Sequence, residues 1–436
     1  MRGLRVVLPL LLAVMALVWW QQLLLANIGA ETAVDRPHEA IILPGDTFAD
    51  WLGVSLEELA LYRYRDGAWE PVPFQIDEVD ETGSYVAQFD GLLGANDELV
   101  FMSADSGTWV SPTLWVSDSL ALQRPRYVIT ITDPLEPEAM GWVYLYRSTT
   151  LPRSDTSYVN WDNEAQTATA VSYTLSFTPD DFLGLASLSL NDQPQDVLDR
   201  QKLRLEGELF GFGFSRTEES ILELIDEPVT LTLPITGPIR AVGRSDLQQA
   251  VFYGQQTSLG FTFSLDDLPI GTTVHNLRLS LDLANPETSG LAPVTYYDSN
   301  LPAGVAVDGS PDAVPEQPLA DWQQIDGVYG GFVSLLTVSA DSGQTGTYYL
   351  DDDTLDPDDT GDGRSYGDAG FFITNPEGLL QVQQTVYFLA GQQGNLGQTF
   401  AQQAANPLQT NSSQQPSPIE PEPSPYTLFL PFVLGS

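Results

Sequence analysis

Gln201-Lys-Leu-Arg-Leu-Glu-Gly-Glu-Leu209 and Val274-His-Asn-Leu-Arg-Leu-Ser-Leu-Asp-Leu283 alternate apolar and polar residues with the two-residue period of a half-buried β-strand. Ala168–Phe177, Val229–Leu233, Ile239–Val242, Gln249–Phe252 and Leu259–Leu265 repeat the pattern, with Gly, Pro or Asp between them. Runs so long and so numerous predict two packed antiparallel sheets. Further strands are expected over Gly330–Ser339, Gly346–Leu350, Gly370–Thr374 and Leu380–Ala390, completing the same sandwich over residues 154–400. Ala303–Gln317, rich in Pro, Gly, Asp and Ala, is expected as a surface loop.

Residues 35–150 read differently, as shorter strands punctuated by turn chemistry. Leu61–Arg65, Asp66-Gly67 and Trp69–Ile76 carry a hairpin signal, because Asp-Gly tolerates the positive φ of a tight two-residue turn. Glu98–Met102, Arg126–Thr132 and Trp142–Tyr146 add strands rich in β-branched and aromatic residues. The fold class expected is therefore all-β: a small N-terminal β-barrel or sandwich followed by a larger antiparallel β-sandwich.

Charge narrows the function. The 436 residues carry 59 Asp and Glu against 17 Lys and Arg, a net charge of −42. Such a polyanion is repelled by nucleic-acid phosphates and anionic lipid, so no nucleic-acid partner is expected. With no Cys there is no disulfide scaffold and no thiolate chemistry. His38 and His275 are the only imidazoles, and no Gly-x-Ser-x-Gly elbow, P-loop, Rossmann fingerprint or His-Glu-x-x-His helix occurs.

The ends point outside the cytoplasm. Residues 1–30 have the layout of a secretory signal: Arg2 and Arg5, the apolar run Val6–Trp20, then small residues at Gly29-Ala30. Leu23–Leu25 leaves open a retained anchor, the one membrane contact expected. Residues 408–425 read as a Pro/Ser-rich linker and 426–436 as an apolar tail. That tail resembles the Leu-Pro ends that look like sorting tags on secreted bacterial proteins; a docked terminal strand is the alternative.

Three features could carry chemistry. Residues 351–368 hold eight carboxylates that repel one another unless a cation gathers them. Asp356, Asp358, Thr360, Asp362 and Asp368 are the candidate ligands, with Gly361 and Gly363 turning the loop, and calcium is the expected ion. The segment is similar to extracellular Asp-x-Asp-x-Asp-Gly calcium loops. Arg200, Lys202 and Arg204 alternate on one strand face ahead of Glu206 and Glu208, which predicts a cross-strand ion-pair ladder, with an anionic-sugar site on Arg200 and Arg204 as the alternative. Trp51, Trp69, Trp109, Trp115, Trp142, Trp161 and Trp322 are available as core or as sugar-stacking platforms. In Tyr296-Tyr297 and Tyr348-Tyr349, one ring of each pair must face each side of its strand.

Val72-Pro-Phe-Gln-Ile-Asp-Glu78, followed by Asn96-Asp-Glu-Leu-Val-Phe-Met102, resembles the N-terminal domain of uncharacterised secreted bacterial and archaeal surface proteins. It is also similar to the small barrel that precedes a large antiparallel sandwich in exported polysaccharide-degrading proteins. Gln75, Asp77 and Glu78, with Trp322, are the ligand-binding candidates; the alternative is that these polar groups only satisfy strand ends and turns. The resulting expectation is an extracellular or cell-surface protein, exported by the general secretory route, with a non-catalytic role in binding polysaccharide or a cell-envelope component. The alternative is a polysaccharide lyase or glycoside hydrolase using paired carboxylates, whose catalytic residues sequence does not single out.

Overall fold

A computed structural model describes residues 33–86, 90–178, 184–221, 231–245, 248–312, 314 and 317–419. The signal or anchor expected at 1–30 and the tail at 426–436 lie outside them. Among the described residues, 27 strands, numbered in chain order, form five sheets, and every strand pair is antiparallel. The all-β class read from the sequence is the one observed.

The small N-terminal unit pairs two sheets. One runs β1 (Ala40–Pro44), β5 (Glu98–Met102), β4 (Phe74–Asp77); the other runs β27 (Gln409–Gln415), β6 (Arg126–Thr132), β7 (Met140–Arg147), β2 (Leu59–Arg65), β3 (Ala68–Pro71). Asp66 and Gly67, at φ 50° and 83°, make the β2–β3 turn that Asp-Gly predicts. Ile41, Leu43, Leu99 and Phe101 of one sheet pack on Leu59, Leu61, Ile129, Ile131, Val143 and Leu145 of the other. The two sheets stay open, so the unit is a sandwich rather than a closed barrel.

The large unit has three sheets. Four short strands form the first: β11 (Leu185–Leu190), β10 (Tyr173–Phe177), β9 (Thr167–Ala170), β8 (Val159–Asp162). Six form the second: β13 (Phe212–Thr217), β12 (Leu198–Leu209), β18 (Thr272–Leu283), β25 (Ser365–Glu377), β24 (Ser342–Asp352), β21 (Gln317–Pro318). Nine form the third: β14 (Thr232–Thr236), β15 (Ala241–Arg244), β16 (Gln248–Phe252), β17 (Gln256–Ser264), β26 (Leu379–Ala390), β23 (Gly330–Ser339), β22 (Trp322–Gly327), β19 (Thr295–Asp298), β20 (Val305–Ala306). Leu203, Leu205, Leu277, Leu279, Phe371 and Ile373 turn inward from the six-stranded sheet onto Phe263 and Leu380 of the nine-stranded one. The long alternating runs thus meet as two inner faces, as their period requires. The loop expected over 303–317 is shorter than its composition suggests, since β20 and the start of β21 fall within it and Val307 is buried.

One segment departs from the sequence reading. Instead of opening the linker expected over 408–425, residues 409–415 form β27, which adds to the edge of β6 in the small unit. Its anchor is a buried cation. The Arg126 guanidinium, stacked 4.6 Å from Trp115 and 4.7 Å from Tyr144, donates from Nε and Nη2 to Gln415 Oε1 at 2.9 and 2.8 Å. Losing that acceptor strips a buried cation of two hydrogen bonds, so Gln415→Ala is expected to lower unfolding stability by about 2 kcal/mol in guanidinium denaturation; an unchanged midpoint would mean the strand is held by its backbone alone.

Candidate functional site

The period that sends leucines inward from the six-stranded sheet sends a polar set outward. Lys202, Arg204 and Glu206 of β12 lie opposite Ser280, Arg278 and Asn276 of β18; Arg278 lies opposite Phe372 of β25, which in turn faces Gly346 of β24. Of the cross-strand ladder expected from Arg200, Lys202 and Arg204, among the described residues Lys202–Asp282 is the pair that joins two strands, and the other acceptors come from turns and loops. Arg200 pairs with Glu219, and Arg204 with Glu218 at 2.7 Å and with Asp359. Lys202 Nζ lies 2.7 Å from Asp282 and 2.6 Å from Asp359 and donates to the Arg364 carbonyl at 3.0 Å. The loop between β24 and β25 therefore folds back over the sheet, and Lys202 and Asp282 are fully buried beneath it.

Between this loop and the sheet runs an open groove of about 910 Å³. Its floor carries Arg278, Tyr348 and Phe372, and its wall Asp352, Asp356, Asp358 and Arg364. The Phe372 ring lies over Gly346, where a Cβ would collide with it, so glycine is what lets the ring rest on the sheet. The Arg278 guanidinium stacks 4.2 Å from the centre of the Tyr348 ring. As strand alternation requires, Tyr349 points the other way and stacks 4.3 Å from the buried Tyr296.

The five expected calcium ligands are not brought together. Asp356 Oδ1 accepts the Asp358 amide and Asp362 Oδ1 the Arg364 amide, which are local turn bonds. Thr360 Oγ1 accepts from Arg204 at 2.9 Å. Asp368, on β25, is withdrawn into the protein with no exposure. Among the described residues no three His, Asp or Glu side chains are arranged to hold a metal ion. What gathers the acidic loop in this structure is the ammonium and guanidinium of β12. Hydrogen bonds from Lys202 and Arg204 hold the Asp359 carboxyl below the usual range, although burial, the largest single influence, opposes them.

Gln75, Asp77 and Glu78 are occupied by the protein itself. Gln75 Oε1 accepts the Ile239 and Arg240 amides at 2.8 and 2.9 Å, its Nε2 donates to Asp77, and Arg240 Nε donates to Asp77 at 2.8 Å. Arg240 reaches Glu98 and Tyr85 as well. Glu78 accepts the Asp90 and Gly91 amides. Gln75 and Asp77 thus join the small unit to the large one, and Glu78 satisfies turn amides within the small unit. Trp322 is also no platform: it is buried with Val333, Tyr387 and Leu389, and Gly397 of the helix Gly397–Ala405 packs on its ring. Trp51, Trp115 and Trp142 are core, whereas Trp109 is half exposed. His38 packs edge-on against Tyr387, where burial and then Arg36 lower its pKa to about 4; His275 stays on the surface beside Glu208.

Arg278 and Phe372 escaped the sequence reading because their importance depends on which strands are neighbours. Asp282 escaped it too. Burial first, then the charge of Asp368, pushes Asp282 up to about 8 against the pull of Lys202, and burial also raises Asp368, opposed by Arg278 and Lys202. An acid whose folded pKa exceeds its unfolded value stabilises fully below the unfolded pKa and loses that contribution as pH rises through the folded one. Chemical denaturation should therefore show stability falling as pH rises from about 4 to about 8, the window between the unfolded and folded values of Asp282. Asp368→Asn, which removes the repulsion while keeping the shape, should lessen that slope; an unchanged slope would show that burial alone raises Asp282.

No protein-family model matches the chain, and no curated protein matches it. Among solved structures it is similar to an α-mannosidase from Enterococcus faecalis V583, at 9% identity and a TM-score of 0.44, over 86% of this chain and 44% of that one. The chain thus spans less than half the length of that protein.

Proposed function

We propose that this chain is a non-catalytic, cell-surface carbohydrate-binding protein, with the groove on the outer face of the six-stranded sheet as its binding site. The observation that carries the reading is the juxtaposition on one floor of an aromatic ring resting on the sheet, Phe372 over Gly346, with Arg278, Asn276 and the carboxylates of the covering loop. A sugar presents the same two chemistries, apolar C–H faces that pack on an aromatic ring and hydroxyls that need charged or amide partners. The cavity of about 140 Å³ between the sheets is a poorer candidate, being lined mainly by apolar side chains and too small for an oligosaccharide. Placement outside the cell rests on Arg2, Arg5 and the apolar run Val6–Trp20. In this reading calcium is confined to Asp356, Asp358 and Asp362, because Thr360 is committed to Arg204 and Asp368 is buried.

A glycan array and a reducing-sugar assay on one preparation test the proposal. Binding without turnover is expected, and Phe372→Ala should weaken it about tenfold, the upper range for loss of one aromatic contact. Binding that ignores Phe372→Ala would place the site elsewhere. Release of reducing ends would favour the hydrolase or lyase alternative, and neither binding nor turnover would leave a structural envelope role.

A further inference from the structure

The groove floor holds a cation, Arg278, that the protein leaves without an ion-pair partner among the described residues. Carboxylates outnumber cations 59 to 17 in this chain, yet several arginines outside the salt bridges turn to backbone carbonyls or to Gln415 for acceptors. Lys202 has three acceptors, Arg204 is paired with Glu218 and Asp359, and Arg200 with Glu219. Arg278 stands directly opposite Arg204 across β12 and β18. Among the described residues its side chain makes no hydrogen bond and no ion pair, and its Nε is buried without an acceptor. Its guanidinium stacks on the Tyr348 ring. Asp368 acts on it through space but forms no ion pair with it. Two like charges at facing positions destabilise a sheet, and a half-buried guanidinium that cannot shed its proton costs more still without an anion.

We propose that the groove binds a polysaccharide carrying carboxylates, a uronate polymer, with one sugar carboxylate seated on the Arg278 guanidinium. The inference rests on the carbohydrate-binding reading of the groove and names its substrate class. Stacking on Tyr348 covers the face of the guanidinium and leaves its N–H edge for an acceptor, the orientation in which arginine takes a planar carboxylate through two parallel bonds. Phe372, next to Arg278 across β18 and β25, would carry the pyranose ring of the same or the adjoining residue.

The surroundings give this site an unusual salt response. Asp352, Asp356 and Asp358 line the groove, and the whole chain is strongly negative, so an anionic ligand is repelled until it reaches Arg278. Salt screens that long-range repulsion, over a Debye length of ~10 Å at 0.1 M and ~3 Å at 1 M, more than it screens a contact within the groove. Uronate binding should therefore strengthen with added NaCl, opposite to the behaviour of a basic surface.

The test is calorimetric titration of the full chain, in EDTA so that no divalent ion bridges carboxylates, with galacturonate, glucuronate and mannuronate oligosaccharides, their methyl esters and a sulfated neutral glycan. At least one acid is expected to bind, its ester about tenfold or more weakly, and its affinity to rise between roughly 50 and 500 mM NaCl. Arg278→Gln should bring acid and ester to equal affinity, and Arg278→Lys, which keeps the charge but not the fork, should recover part of the difference; thermal melting checks that both variants are folded. Equal binding of acid and ester by the unmodified protein, or tighter binding of the sulfated glycan, would overturn the uronate assignment and leave the groove a sugar site. Affinity that falls with salt would overturn the role given to Arg278 and the acidic rim. No binding of any of these, nor of any glycan on the array, would overturn both readings together.

Discussion

One ammonium group fixes the groove. Lys202, the chain's single lysine, has three N–H donors and three partners: Asp282 on the neighbouring strand, Asp359 from the acidic loop and the carbonyl of Arg364. Left alone, the eight carboxylates of residues 351–368 would spread into solvent. Tied at Asp359, the loop lies across the sheet and becomes the groove's wall. A buried ion pair of this kind adds little net stability over an apolar filling. What it adds here is definition, since it leaves the loop one place to lie. Asp351 works to the same end by accepting the amides of Asp308, Gly309 and Gly367 at the loop's root.

The small unit serves the large one as a seat. Arg240 enters a cluster of Gln75, Asp77, Glu98 and Tyr85, while His38 is packed between Tyr387 and Phe400. Burial raises the Asp77 carboxyl even with Arg240 against it, which is the price of placing charge at a joint rather than at a surface. The polar residues of the Val72–Glu78 strand end thus do structural work at a contact between units.

Strands were legible where packing writes itself into alternation. Val274–Leu283 falls within β18 and Gln201–Leu209 within β12, because each must bury one face and wet the other. β27 could not be read, since Gln409–Gln415 is polar throughout and lies at a sheet edge where the backbone supplies most of the bonding. Acidity misled in one respect. Asp368 ends the acidic run in sequence but lies within β25 in space, so one chain neighbourhood divides between a surface loop and the interior. The groove's floor was hidden for a further reason: Arg278, Phe372 and Gly346 belong to three strands spread over nearly a hundred residues, and only the sheet's register sets them side by side.

Because β27 returns to β6, both described ends of the chain lie on the small unit: Arg36 binds Asp133 and the Asn406 carbonyl, and Ser417 donates to the Leu122 carbonyl. The large sandwich is in effect a loop inserted between them. Tension applied through the two ends would therefore run across the β6–β27 seam and the Arg36–Asp133 contact, bypassing the six-stranded sheet. Pulled at its two described ends, the chain would load this seam while the groove kept its shape, with the seam yielding first.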